Sequence, residues 1–236
     1  LAQQLNIYVD GFIHGDIDEV AIRLSTDKPD AIVGTDVIEH IYNLHIFFGS
    51  IKQINPSIVS VFTTASNPFN FIKVRQLKKL QKKDEYEGGS PEDFALFGNE
   101  AHASFLQIRK GIIKNEWKEA TESQLEMFAK ATRGLNKADI IAAVEEFRSS
   151  KIMPVVLMHP TNTCNPLTGS WTERLLSIEE YASIYHRNEM KMLVFNGFYN
   201  EYKPGIKGLL NKTLNMAIIR FGSRFAPYLI FVGSKK

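Results

Sequence analysis

Residues 34–43 read Gly34-Thr35-Asp36-Val37-Ile38-Glu39-His40-Ile41-Tyr42-Asn43. The mostly apolar Asp30-Ala31-Ile32-Val33 precedes them, and a helical pattern follows. Asp36, Glu39 and His40 are costly to bury without partners. A buried strand that runs straight into three such groups therefore reads as the ligand-facing end of a strand in an open α/β sheet, because ligands in such sheets bind beyond the carboxyl ends of the strands.

Working outward, the period from Glu39 onward is that of a helix, with Ile41, Leu44, Phe47 or Phe48, Ile51 and Ile54 on one apolar stripe. Asn55-Pro56 ends it, and Ile58 to Thr64, rich in β-branched residues, is the next strand. A helix between two strands with short links implies a parallel pair joined by a right-handed crossover. Upstream, Lys28-Pro29-Asp30 stops a short helix carrying Val20, Ala21 and Leu24, since proline disfavours helical geometry in the residue before it. His14-Gly15-Asp16 reads as a turn, and Asn6-Ile7-Tyr8-Val9 as a short strand.

Beyond Asn67-Pro68 the character changes. Residues 70 to about 150 hold helical patterns and no convincing strand. Ile140, Ile141, Val144 and Phe147 form one face, with Asn136 as N-cap, Asp139 in the first turn and Gly134 closing the preceding helix. The turn-rich run His159 to Pro166 follows. Ser177-Ile178-Glu179-Glu180 is a capping box, and Ile178, Tyr181, Ile184 and Tyr185 are the buried face behind it. Met192 to Phe195 and Tyr228 to Val232 read as strands, with a helix near Leu209 to Ile219 between them.

Bulk properties exclude several classes. The 236 residues fit one domain, or one domain with a substantial insertion. A net charge of +2 gives no basis for a nucleic-acid partner. No apolar run approaches the roughly 18 residues of a membrane span. The single cysteine, Cys164, forms no internal disulfide, which points to a reducing, cytoplasmic setting.

Asp36-Val37-Ile38-Glu39-His40-Ile41 at a strand-to-helix junction resembles the class I S-adenosylmethionine-dependent methyltransferases, in which such a signature ends the fourth strand. His14-Gly15-Asp16-Ile17 sits where the family has its acidic loop after strand three, and Ile58 to Asn70 resembles strand five and its loop. The helix from Ser177, then Met192 to Gly197 and Tyr228 to Gly233, resembles the family's end, in which an antiparallel strand seven follows strand six. The resemblance implies a Rossmann-like α/β core, partial (strands 3–7), over residues 1–70 and 170–236, with strand order 4-5-7-6. It also implies a helical insertion or substrate lid at 71–169. The glycine-rich loop and the first two strands would lie upstream of Leu1, making this a truncated chain.

By the same resemblance the cofactor is S-adenosyl-L-methionine and the activity is methyl transfer to a small-molecule acceptor. Asp16 would accept a hydrogen bond from the adenine amine beside Ile17. Thr35, Asp36 and Val37 would run along the cofactor. His40 would be the catalytic base, and Glu39 its orienting neighbour or a cofactor contact. Arg174, in Thr172-Glu173-Arg174, and Tyr199 and Asn200, in the run Asn196 to Asn200, are expected substrate contacts. An alternative of another class is a non-catalytic remnant or scaffold that lacks the cofactor loop.

Plainer readings stand beside each of these. Asp36 is also a plausible cap for the following helix, Asp16 a turn former beside Gly15, and His40 a locally bonded histidine. The histidines at 14, 40, 45, 102, 159 and 186 show no ligand spacing, so no metal site is expected. Cys164 reads as an inert thiol, and the basic run Lys73 to Lys83 as a solvated helix face.

Overall fold

The computed structural model describes residues 11–88, 103–154 and 159–236. The expected strand at Asn6 to Val9 lies outside the described residues. In chain order the elements are α1 (Ile17–Leu24), β1 (Ala31–Thr35), α2 (Leu44–Ile54), β2 (Val59–Thr64), α3 (Phe71–Tyr86), α4 (Phe105–Glu116), α5 (Glu122–Ala131), α6 (Lys137–Ser150), α7 (Ile178–Arg187), β3 (Met190–Asn196), α8 (Ile206–Phe221) and β4 (Leu229–Lys235).

The four strands form one open mixed sheet in the order β1-β2-β4-β3. β1 and β2 are parallel, and β4 runs antiparallel to both β2 and β3. β1, β2 and β3 thus share a direction, and their carboxyl ends at Thr35, Thr64 and Asn196 face one rim. The expected order and the expected reversal of the last strand are both present.

Alternation of side chains gives the sheet two unlike faces. On one, Phe62, Thr64, Leu229 and Phe231 are buried in a core completed by α2 and α7. Phe48 lies 4.3 Å from Tyr185 and 5.8 Å from Phe62, centroid to centroid. Burying each such ring stabilises the fold by about 1.5–3 kcal/mol. Gly34 is required here, because a Cβ would stand 2.7 Å from the Phe62 ring. On the other face a cross-strand row of Val33, Val61, Val232 and Leu193 runs over all four strands. Val33 is 70% and Leu193 46% exposed.

Two expectations change. The strand at Ala31 to Thr35 is not buried: its residues alternate between exposed and half-buried. Among the described residues it pairs on one side only, and one of its faces is open. The helix after it begins at Leu44, not Glu39. Asn43 accepts hydrogen bonds from the His45 and Ile46 amides and fixes the start there, so Ile38 to His40 form a turn. Asp36 is therefore not the cap.

The α4–α6 segment has a second core of Leu106, Ile113, Leu125, Phe128, Ile140 and Val144, edged by Trp117 and Phe147. Asn136 caps α6 through the Asp139 amide, as its sequence position suggests. Between the two cores runs a polar seam. The buried Arg109 donates to both carboxylate oxygens of Glu85, one contact being 3.2 Å, and to the Ala129 carbonyl at 2.8 Å. Thr163 donates to the same carboxylate at 2.7 Å.

Candidate functional site

The site grows from the turn after β1. Asp36 takes a left-handed conformation (φ 51°), which short polar side chains tolerate, and its amide donates to the Thr63 carbonyl at 3.0 Å. The chain thereby leaves the sheet and sends Ile38 into the core. Glu39 and His40 follow in the same turn.

A second segment, 171–174, docks on this turn through its backbone. The Trp171 amide donates to the His40 carbonyl and the Arg174 amide to the Glu39 carbonyl, each at 3.1 Å. His40 Nδ1 is 2.8 Å from the Trp171 carbonyl. A carbonyl only accepts, so this contact places a hydrogen on Nδ1 and leaves Nε2 with the lone pair in the neutral ring. His40 Nε2 lies 4.0 Å from Glu173 Oε1. The other Glu173 oxygen accepts a 3.0 Å bond from the Ser66 hydroxyl, in the loop after β2. Gln81 of α3 donates to the Glu173 carbonyl at 2.9 Å.

Glu39 is the most unusual member. Its side chain is fully buried, and neither carboxylate oxygen has a hydrogen-bond partner. Burial pushes its pKa up; its own backbone amide, the nearby Thr64 hydroxyl and His40 oppose that rise, and the Glu173 charge adds to it. Arg174 is held below its ordinary pKa by burial. Its guanidinium stacks 4.2 Å above the Trp171 ring, a cation–π contact.

Glu39, His40 and Glu173 each offer a ligand atom, and these atoms lie within 4.8 Å of one another. Histidine spacing misses this group, because it uses one histidine and two glutamates, with Glu173 more than a hundred residues downstream.

The other expected site residues are distributed as follows. A hollow of about 780 Å³ is lined by Asp16 and Ile17 together with Tyr42, Asn43 and Asn136. Asp16 occupies the N-cap position of α1, yet its carboxylate makes no capping bond. Thr35, Asp36 and Val37 sit at the end of β1 and are not in that lining. Arg174 joins the Glu39–His40 turn. Tyr199 and Asn200 follow β3 and are bonded to α8 through their backbones: the Tyr199 amide donates to Asn215 at 2.8 Å, and the Asn200 carbonyl accepts from Asn211 at 2.6 Å. The ring of His40 is oriented by Trp171, not by Glu39. Cys164 is buried, and burial pushes its thiol up to about 12, which suits an inert role.

Ser66, Gln81 and Trp171 were not legible as site residues. No local motif marks them, since their roles come from tertiary contacts. No family model matches the chain, and neither a curated protein nor a solved structure gives a significant match.

Proposed function

We propose that this protein transfers a methyl group from S-adenosylmethionine to a small-molecule acceptor. The observation that carries the reading is the sheet order β1-β2-β4-β3, with β4 alone reversed, which is the order the sequence resemblance implies for strands four to seven. The polar turn after β1 stands at the rim where ligands of such sheets bind.

The chemistry asks little covalent work of the protein. Displacement at a sulfonium disperses positive charge, so the main requirement is alignment of donor and acceptor, worth about 7–11 kcal/mol when well oriented. Asp16, with a carboxylate uncommitted to helix capping, supports the adenine end of such a site. His40, with Nε2 carrying the lone pair, is suited to interact with the acceptor. The α3–α6 helices are joined to the rim through Gln81 and through the Tyr42–Asp139 hydrogen bond, an arrangement suited to covering a small acceptor.

Calorimetric titration with S-adenosylhomocysteine, paired with transfer of radiolabel from S-adenosylmethionine, tests the reading. Saturable heat is expected. A flat titration sinks the proposal and favours a non-catalytic scaffold.

A further inference from the structure

We propose that Glu39, His40 and Glu173 form a divalent metal-ion site at the rim of the sheet. A grouping of acidic residues alone would not justify this. Glu39 supplies the independent observation: a fully buried carboxylate with no hydrogen-bond partner on either oxygen, within reach of the other two ligand atoms. Buried charges in proteins are paired or coordinate metals, and neither Glu39 oxygen makes a hydrogen bond of normal geometry, the Thr64 hydroxyl and His40 being nearby but not bonded to it.

The surroundings have the form expected around metal ligands. A ligating histidine characteristically donates its other ring nitrogen to a carbonyl or carboxylate, and His40 Nδ1 does so to Trp171 at 2.8 Å. That leaves Nε2 directed to Glu173 Oε1. Ligating carboxylates are themselves hydrogen-bonded, and Ser66 holds the far oxygen of Glu173 at 3.0 Å. Gln81 holds its backbone at 2.9 Å. Ligand atoms about 2.1 Å from one ion lie roughly 3–4 Å apart. The 4.8 Å span therefore closes on an ion by small side-chain rotations of the half-exposed His40 and Glu173.

Two carboxylates and one imidazole suit a divalent ion of intermediate hardness such as Mn²⁺ or Zn²⁺, and the two carboxylates balance its charge. Three protein ligands also leave coordination positions open, the mark of a reactive rather than purely structural centre. Resting on the methyl-transfer reading, the use of the ion is to bind a hydroxyl oxygen of the acceptor and lower its pKa. The hydroxyl proton goes to solvent, the oxygen forms a bond to the methyl carbon, and the carbon–sulfur bond breaks to release neutral S-adenosylhomocysteine. In this arrangement His40 acts as a ligand and not as the base.

The test is titration of the metal-free protein with Mn²⁺, followed by electron paramagnetic resonance, with Zn²⁺ by calorimetry. One equivalent is expected to bind, and His40→Ala and Glu173→Gln are each expected to weaken binding at least 10-fold. Both side chains are partly exposed, so these variants should fold, which circular dichroism verifies. Glu39→Gln adds a second readout. Its thermal midpoint without metal should equal or exceed that of the parent, because an unpartnered buried acid is removed, while the metal-induced rise disappears. Absence of stoichiometric binding by both ions, or unchanged affinity in the His40 and Glu173 variants, overturns the site. Metal binding without S-adenosylhomocysteine binding would leave the ion site standing and remove only the methyl-transfer reading.

Discussion

The side-chain amide of Gln81 donates to the backbone carbonyl of Glu173 at 2.9 Å, so a helix outside the sheet fixes a residue at the sheet's rim. The same nitrogen also contacts Asn162 Oδ1 and the Thr172 carbonyl. Gln81→Leu removes a donor from the part-buried Thr172 and Glu173 carbonyls, while Asn162 Oδ1 keeps the Leu175 amide. We expect a loss of about 1–3 kcal/mol in urea denaturation, and a drop of about 10-fold in Mn²⁺ affinity. A variant that loses stability but keeps its Mn²⁺ affinity would show that Gln81 does not position the site.

The Arg109–Glu85 pair is fully buried and is shared with Thr163. Glu85→Met leaves the buried Arg109 uncompensated and should cost about 3–5 kcal/mol, while Arg109→Met should cost less, because Arg133 Nε stays 3.8 Å from the Glu85 carboxylate. The double replacement should cost clearly less than the two together, because neither half of the fully buried pair is left without the other. Chemical denaturation of the four proteins in a double-mutant cycle measures the difference; simple additivity would contradict the pairing.

Asp16 separates recognition from stability. Its carboxylate caps nothing, so Asp16→Ala should shift stability by less than about 0.5 kcal/mol. If the proposed cofactor site is right, losing the hydrogen bond proposed between Asp16 and adenine should weaken S-adenosylhomocysteine binding about 10-fold, near 1.4 kcal/mol. Calorimetry on the variant gives the answer, and unchanged affinity would remove Asp16 from the cofactor site.

Cys164 should resist iodoacetamide at pH 8 in the folded protein and react once denaturant opens the loop. The thiolate is the reactive form, and burial holds the thiol near 12 against an ordinary 9.0. The sign for stability follows: a raised value favours folding below the unfolded thiol's range, and this contribution fades as pH climbs from 9.0 toward about 12. Cys164→Ala should flatten that part of the stability profile. Fast labelling of the native protein would contradict its burial.

Much of the α/β frame was readable from local chemistry. Pro29 and Pro56 mark breaks, and the β-branched run to Thr64 and the Ser177–Glu180 capping box give elements their type and start. The missed boundary at Glu39 has a clear cause. Ile41 falls on the helical stripe by spacing, but Asn43 captures the His45 and Ile46 amides and starts the helix after it. Glu39 and His40 stood out because charged groups beside an apolar strand are conspicuous in sequence. Their companion Glu173 stood only as part of the polar cluster Thr172-Glu173-Arg174, whose link to the Glu39–His40 turn no local pattern marks. Tyr199 and Asn200 follow β3 at the rim, and Asn215 and Asn211 of α8 hold their backbone groups there, tertiary contacts that the local sequence does not announce.

The backbone clasp between the Glu39–His40 turn and the Trp171–Arg174 segment has a consequence for biosynthesis. A ribosome that has released the chain only through α6 has delivered two of the three converging side chains and nothing to meet them. Assembly of this group is thus withheld from the nascent polypeptide and is complete only after the late segment has docked on the early turn.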